Sequence, residues 1–291
     1  MPFRYYDQAE LDRQYFIRGT VEDLDAILEA YSRRTAEVRQ RIPCHLDMAY
    51  GGGVDERLDI YPSQAPTEAG APVFVFIHGG FWRALSAADS GFMAEAFSQQ
   101  GACVVSINYA LAPQASMDDI VQQCRNALVW IYQHIRDYGG DPDRIYVGGS
   151  SAGGHLAGMM LADGWTARAG VPGLQVRGGL LLSGLYDLEP LLETHVNAWA
   201  RMDRESARRN SPIRHLPAQG VPLIFSYAPN ETEEFKRQTE SYLAACAASG
   251  AVCQFVAAPG TNHFDICFEM ADARSAMMQR TLAVMGLALP R

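Results

Sequence analysis

Residues 144–156 read RIYVGGSSAGGHL, and the reading of the whole chain turns on them. Ile145 to Gly148 is a short apolar run with β-branched residues, of the kind that forms a buried strand. Gly149-Ser150-Ser151-Ala152-Gly153 follows it as G-x-S-x-G. Small residues on both sides of Ser151 let a strand and a helix approach closely, so that the serine stands at the tip of a tight turn where a base can reach its hydroxyl. Ala152 to Ala162 continues with small and apolar residues at helical spacing, suited to packing on a sheet. The same five-residue pattern also arises by chance in loops containing Gly and Ser, so its weight comes from what surrounds it.

Working outward, Val73 to Ile77 and Cys103 to Ile107 are continuous apolar runs, as expected for strands buried on both faces of a parallel sheet. Further strands are expected after Ser151 at Leu180 to Ser183, Pro222 to Ser226 and Val252 to Val256. A helix is expected from Met117 to Tyr138, with Ile120, Cys124, Ala127, Leu128 and Ile131 on one face, ended by Gly139-Gly140-Asp141-Pro142. Further helices are expected over Phe235 to Ala248 and Asp265 to Met285. Strands alternating with helices in this rhythm predict an α/β fold: a mostly parallel central sheet with helices on both faces.

Before the main fold, residues 8–45 are expected to form a helical segment lying across one end of it. Leu24, Ile27, Leu28, Tyr31 and Val38 recur there at helical spacing, with Thr20 as N-cap. Leu58 to Tyr61 alternates apolar with polar and stops at Pro62, which predicts an antiparallel edge strand, and Pro62 to Pro72 reads as a surface loop. Residues 186–217 are polar, rich in Arg and Glu and without a strand signal, so a small cap-like insertion over the sheet's C-terminal edge is expected. With no repeat or interdomain linker, residues 1–291 read as a single domain.

Composition narrows the function. The chain has 291 residues, 48% hydrophobic and 20% charged, enough for a sizeable core. A formal charge of −9, with only the scattered Arg201, Arg204, Arg208 and Arg209 as a basic grouping, argues against nucleic acid as a partner. The six cysteines show no CxxC pairing and read as buried thiols of a reducing compartment rather than disulfides or metal ligands. No apolar run approaches the roughly 20 residues that span a bilayer, and the polar start MPFRYYDQAELDRQYF does not resemble a signal peptide. A cytoplasmic protein without membrane partners is expected, and a homodimer stays open.

In an open α/β sheet, reactive groups collect at the C-terminal ends of the strands. His78-Gly79-Gly80-Phe81-Trp82 follows the first buried strand; its two glycines can turn backbone N–H groups toward a common point, and with the N–H of Ala152 they would hold a developing oxyanion. A Gly-Gly turn that merely frees the chain from the sheet is the plainer reading. His263, in PGTNHF after the last strand, is the candidate base. His78 reads as a structural residue of the oxyanion loop, His155 as packed in the first turn of the elbow helix, and His45, His134, His195 and His215 as solvated. The acid that orients the base should follow the strand before the histidine's. Glu231 fits best, because Glu233 and Glu234 fall in the first turn of the next helix, where acids offset the dipole; Asp187 is its rival. Phe81, Trp82, Tyr109 and Phe264 are expected to line an apolar pocket for an aryl or short acyl group, though each could equally be core. The acids and histidines lack ligand spacing, so neither metal nor organic cofactor is expected.

HGGFW, NYALAP, DPDRIYVGGSSAGGHLAG, SGLYDLEPL, NETEEFKRQ and PGTNHF, in this order, resemble the kynurenine formamidase (arylformamidase) branch of the α/β-hydrolase fold, which is related to the hormone-sensitive-lipase-like esterases. LDRQYFIRGTVEDLDAIL and YGGGVDERLDIYP are similar to that branch too, so the likeness covers most of the chain. It implies a Ser151, Glu231, His263 triad, an oxyanion hole from Gly79, Gly80 and Ala152, and hydrolysis of N-formyl aromatic amides or small esters. Glu231 departs from members that carry Asp as the third residue, being longer by one methylene. A carboxylesterase for small aryl or short-chain esters is the second expectation, and a non-catalytic hydrolase-fold binding protein the third. No motif in the cap identifies formylkynurenine.

Overall fold

A computed structural model of the chain describes residues 5–65 and 68–287. Eight strands form one sheet: β1 (His45–Ala49), β2 (Arg57–Tyr61), β3 (Ala71–Ile77), β4 (Cys103–Ile107), β5 (Gly140–Ser150), β6 (Val176–Leu182), β7 (Pro222–Ser226) and β8 (Val252–Phe255). Their spatial order is β1-β2-β4-β3-β5-β6-β7-β8. The pairs β1–β2 and β2–β4 are antiparallel and every later pair is parallel. Leu58 to Tyr61 is therefore not at the edge: β1 pairs with its outer side and takes that place. His45-Leu46-Asp47-Met48 alternates polar with apolar, but the residues of β1 are largely exposed and the pairing register shifts between His45 and Met48, so the alternation is too short to mark the strand.

The helices are α1 (Gln8–Tyr15), α2 (Leu24–Arg41), α3 (Ala94–Gln99), α4 (Met117–His134), α5 (Ala152–Leu161), α6 (Trp165–Arg168), α7 (Asn197–Ala200), α8 (Arg204–Arg209), α9 (Glu233–Ala248) and α10 (Ala276–Val284). Asp23, not Thr20, caps α2, accepting from the Ala26 N–H; Thr20 ends a 3-10 turn instead. A capping box from Ser116 and Asp119 starts α4, and Gly139 at φ 79° ends the 3-10 turn that extends it. The last expected helix is divided, into a 3-10 stretch over Asp265–Ala271 and then α10, whose start is capped by Ser275.

Alternation along the central strands divides the core into two layers. Val73, Val75 and Ile77 pack with Leu128, Leu156 and Phe235 of α4, α5 and α9, whereas Phe74 and Phe76 pack with Val38, Phe97 and Met278 of α2, α3 and α10. Every residue of β3 and β4 is buried, as a sheet covered on both faces requires. The N-terminal segment joins both layers: Leu11 and Tyr15 of α1 belong to the first, Tyr31 and Val38 of α2 to the second. Its middle therefore passes over the sheet's end. The stretch expected as a cap is a series of short helical turns, anchored by buried Leu188, Leu191 and Val196. Among the described residues no helix is long and apolar enough to cross a membrane.

Candidate active site

Ser151 sits between β5 and α5 with φ 58° and ψ −120°, a conformation a non-glycine residue adopts only under constraint. Three contacts supply that constraint. Ser151 N–H donates to the Leu182 carbonyl at 2.9 Å. A Cβ on Gly153 would come within 2.0 Å of the Ile77 carbonyl oxygen, so α5 lies directly against β3. A Cβ on Gly149 would come within 2.2 Å of the Gly153 carbonyl oxygen, so the turn closes on itself. Although Ser151 is the N-cap of α5, its side chain makes no capping hydrogen bond. The hydroxyl thus remains available to another partner.

The loop that follows β3 is built with the same economy of space. A Cβ on Gly79 would meet the Ser150 carbonyl oxygen at 2.9 Å, and one on Gly80, at φ 95°, would meet the Ala84 carbonyl oxygen at 2.2 Å. Only glycine lets this loop approach the elbow. Ala152 opens α5, where the first N–H groups have no acceptor within the helix. His78 is buried; its Nδ1 lies 2.9 Å from the Gly79 carbonyl and its ring stacks on Tyr109 at 4.1 Å. Tyr109 in turn donates its hydroxyl to the His78 carbonyl at 2.9 Å. Trp82 donates its indole N–H to His155 Nδ1 at 3.1 Å, and His155 Nε2, the protonated nitrogen, donates to the Asn210 carbonyl at 2.7 Å. Burial holds both histidines neutral, with pKa values lowered to about 4.

His263 follows β8 on a loop fixed by Asn262, whose side-chain oxygen accepts the N–H groups of Phe264 at 2.9 Å and Asp265 at 3.1 Å. The imidazole is buried, edge-on to Phe235 at 4.8 Å, and its Nδ1 lies 3.4 Å from Glu231 Oε1. That oxygen also accepts from Ser183 Oγ at 2.5 Å and from the Ala228 N–H at 2.9 Å, which settles where the carboxylate points. Asp187 lies elsewhere in the network. Its carboxylate accepts from the Glu189 N–H, while its backbone N–H and carbonyl are both bound by the Gln238 side chain. Burial raises its pKa.

Ser151 and His263 share the wall of one cavity, of about 380 Å³. Gly79, Gly80, Phe81 and Phe264 line it as well, but Trp82 and Tyr109 do not: both are fully buried and brace the Gly79-Gly80 loop from behind. Their aromatic character signalled burial, and nothing local separates a pocket wall from its support. Much of the remaining wall comes from the N-terminal segment, through Tyr15, Phe16, Ile17, Leu24, Leu28 and Tyr31. The cap contributes Trp199 and His195. His195 is not simply solvated, since Asp12 accepts both its N–H at 2.6 Å and its Nδ1 at 3.0 Å.

Long-range hydrogen bonds hold the N-terminal wall in place. Tyr15 donates its hydroxyl to Glu234 at 3.0 Å, and Gln14 accepts the Glu234 N–H at 3.1 Å. Arg237 clamps the Glu234 carboxylate with two contacts of 2.8 Å. On the other side Tyr31 donates to the Phe264 carbonyl, next to His263. The partners of Tyr15, Gln14 and Tyr31 lie more than two hundred residues away in sequence, beyond the reach of periodicity. Among the described residues no group of His, Cys, Asp or Glu is arranged to hold a metal ion.

The BD-FAE family model matches residues 58–168. Kynurenine formamidase of Danio rerio is 35% identical over 265 residues, covering 89% of this chain and 87% of that protein. Esterase LipQ of Mycobacterium tuberculosis is 28% identical, covering 81% of this chain and 60% of that protein. Among solved structures, a protein from Silicibacter sp. tm1040 superposes with a TM-score of 0.81 at 25% identity, covering 95% of this chain and 99% of its own. With the fold, the elbow and near full-length likeness in agreement, the chain is an enzyme, a hydrolase of α/β-hydrolase fold that belongs to the kynurenine formamidase family.

Proposed function

We propose that the chain is a serine hydrolase cleaving a small N-formyl aromatic amide of the N-formylkynurenine type, with Ser151 as nucleophile, His263 as general base and Glu231 as the acid that orients it. The observation that carries this reading is the placement of His263: it reaches the cavity shared with Ser151 while its Nδ1 lies 3.4 Å from Glu231. A gap somewhat beyond hydrogen-bond length is ordinary for catalytic contacts that tighten when substrate binds. Ser151 Oγ attacks the formyl carbonyl carbon as His263 takes its proton, and the N–H groups of Gly79, Gly80 and Ala152 receive the oxyanion. Collapse expels the aryl amine, which takes the proton from His263, and leaves a formyl-serine. Water, deprotonated by His263, then releases formate and restores Ser151.

The aromatic wall of Phe16, Tyr31, Phe81, Trp199 and Phe264 suits an aryl leaving group, and the small formyl group suits the tight space where Gly79 meets the elbow. Six free thiols fit the cytoplasmic setting of the same proposal. A carboxylesterase for small aryl or short-chain esters is the second reading, favoured by the likeness to an esterase. Turnover of N-formylkynurenine beside 4-nitrophenyl acetate, by wild type and Ser151→Ala, tests both. Formamidase activity that exceeds ester hydrolysis and vanishes in Ser151→Ala is expected. Ester hydrolysis alone would favour the second reading, and absence of a fluorophosphonate adduct on Ser151 in folded protein would favour a binding protein without catalysis.

A further inference from the structure

A second cavity, of about 290 Å³, shares no lining residue with the first. It opens between α4, the C-terminal end of α5, α6 and the end of α8. Arg125, Arg168 and Arg209 line it with a single carboxylate, that of Asp118. Asp118 is already engaged, accepting from Arg209 at 2.9 Å and from the Asn210 side-chain amide at 2.9 Å. Arg209 has a further partner in Glu205 at 3.1 Å. Arg125 and Arg168 have no such compensation: among the described residues no acidic side chain pairs with either.

Arg125 is the more telling of the two. Its Nε is buried without a hydrogen-bond partner, and its guanidinium lies over the Trp165 ring at 5.5 Å, a ring fixed by the indole N–H bond to the Met160 carbonyl at 2.8 Å. A ring face offsets only part of a cation's lost hydration. Arg168 approaches the same space with like charge, and the two effects together lower the Arg125 pKa. Arg125, partly buried with its Nε unpaired and the like charge of exposed Arg168 beside it, is costly in the absence of an anion. A neutral guest would leave that cost in place.

We infer that this second cavity is a binding site for a small oxyanion, a phosphate or carboxylate group, held between Arg125 and Arg168. The forked donors of arginine match the oxygen spacing of either group. His215 and Gln122 add polar lining without adding negative charge.

Calorimetric titration of the full chain with inorganic phosphate, and separately with succinate, at ionic strength held constant with chloride, tests the site. One saturable event per chain is expected for at least one of the two, weakened about tenfold or more in Arg168→Gln and in Arg125→Gln, as the loss of a charge-assisted contact implies. Binding of phosphate alone would identify a phosphate group as the guest, and binding of succinate a carboxylate. Arg83→Gln, which removes a cation lining the first cavity, should bind like wild type. Saturable binding of neither anion, undiminished binding in Arg168→Gln, or equal loss in Arg83→Gln would overturn the inference. Arg168 is exposed, so its variant remains informative even if Arg125→Gln does not fold.

Discussion

At Ser151 the backbone holds φ 58° and ψ −120°, and the surrounding packing outweighs the cost of that conformation, on the order of 1–3 kcal/mol. Ser151→Gly should therefore be inactive yet at least as stable as wild type, because glycine relieves the strain by an amount that offsets its own entropy cost of about 0.5–1 kcal/mol. Urea unfolding followed by circular dichroism would show it; a clear loss of stability would mean that the elbow is relaxed. Glu231 lends itself to a paired experiment. Glu231→Gln keeps the shape and removes the charge facing His263, and kcat should fall by roughly 10³ to 10⁴, the range expected when the orienting acid of a triad is neutralised. Ser183→Ala removes the hydroxyl donor to that carboxylate and should cost about 1.5–3 kcal/mol of stability. Ser151 and Glu231 could be singled out in the sequence because each follows a strand whose apolar run is plain, and His263 because it lies on the PGTNHF loop between the last strand and the last helical stretch. Ser183 could not, since its part is set by a side-chain bond to a residue 48 positions away.

Among elements, the contact between α5 and β3 sets the geometry of the elbow. Gly153→Ala would drive a methyl into the Ile77 carbonyl oxygen and should destabilise the fold by on the order of 3 kcal/mol or more. The N-terminal segment acts differently, as a wall rather than a frame. Phe16 lines the cavity while remaining 52% exposed, so a substrate can bury the rest of its ring. Phe16→Ala should raise KM for an aryl substrate roughly tenfold with kcat little changed, because the contact it removes is made equally in ground and transition states. Steady-state kinetics separate this from a loss in kcat, which would place the segment closer to the reaction. Helical spacing in residues 8–45 is evident in the sequence, yet the role of this segment in the cavity is not. That role depends on Tyr15 meeting Glu234 and Tyr31 meeting the carbonyl of Phe264, pairings that no local pattern encodes.

For the molecule as a whole, the parallel part of the sheet could be read from its apolar runs because burial on both faces leaves little room for polar residues. Both edge strands are largely exposed; β8 is still legible from Val252, Phe255 and Val256, whereas β1, with a register shift and only Leu46 and Met48 as large apolar residues, escapes. The buried polar groups behind the Gly79-Gly80 loop tie that architecture to pH. His78 and His155 are neutral when folded, with pKa values lowered by burial to about 4, against about 6.5 in an unfolded chain. Between these values the unfolded state binds more protons than the native one, so stability falls as pH drops from about 6.5 toward 4 and is insensitive to these two groups above that window. Each histidine can account for up to about 3 kcal/mol across the window, a large share of the stability of an ordinary domain. Protonating His155 would also convert Nδ1, the acceptor of the Trp82 indole, into a donor, so the loop carrying Gly79 and Gly80 should loosen before the sheet unfolds. The unfolding midpoint, measured between about pH 8 and pH 4.5, should decline most steeply below about 6.5. In His155→Gln, which has one titrating group fewer, the midpoint should be lower at neutral pH yet decline less steeply. An unchanged slope in that variant would show that other groups carry the acid sensitivity.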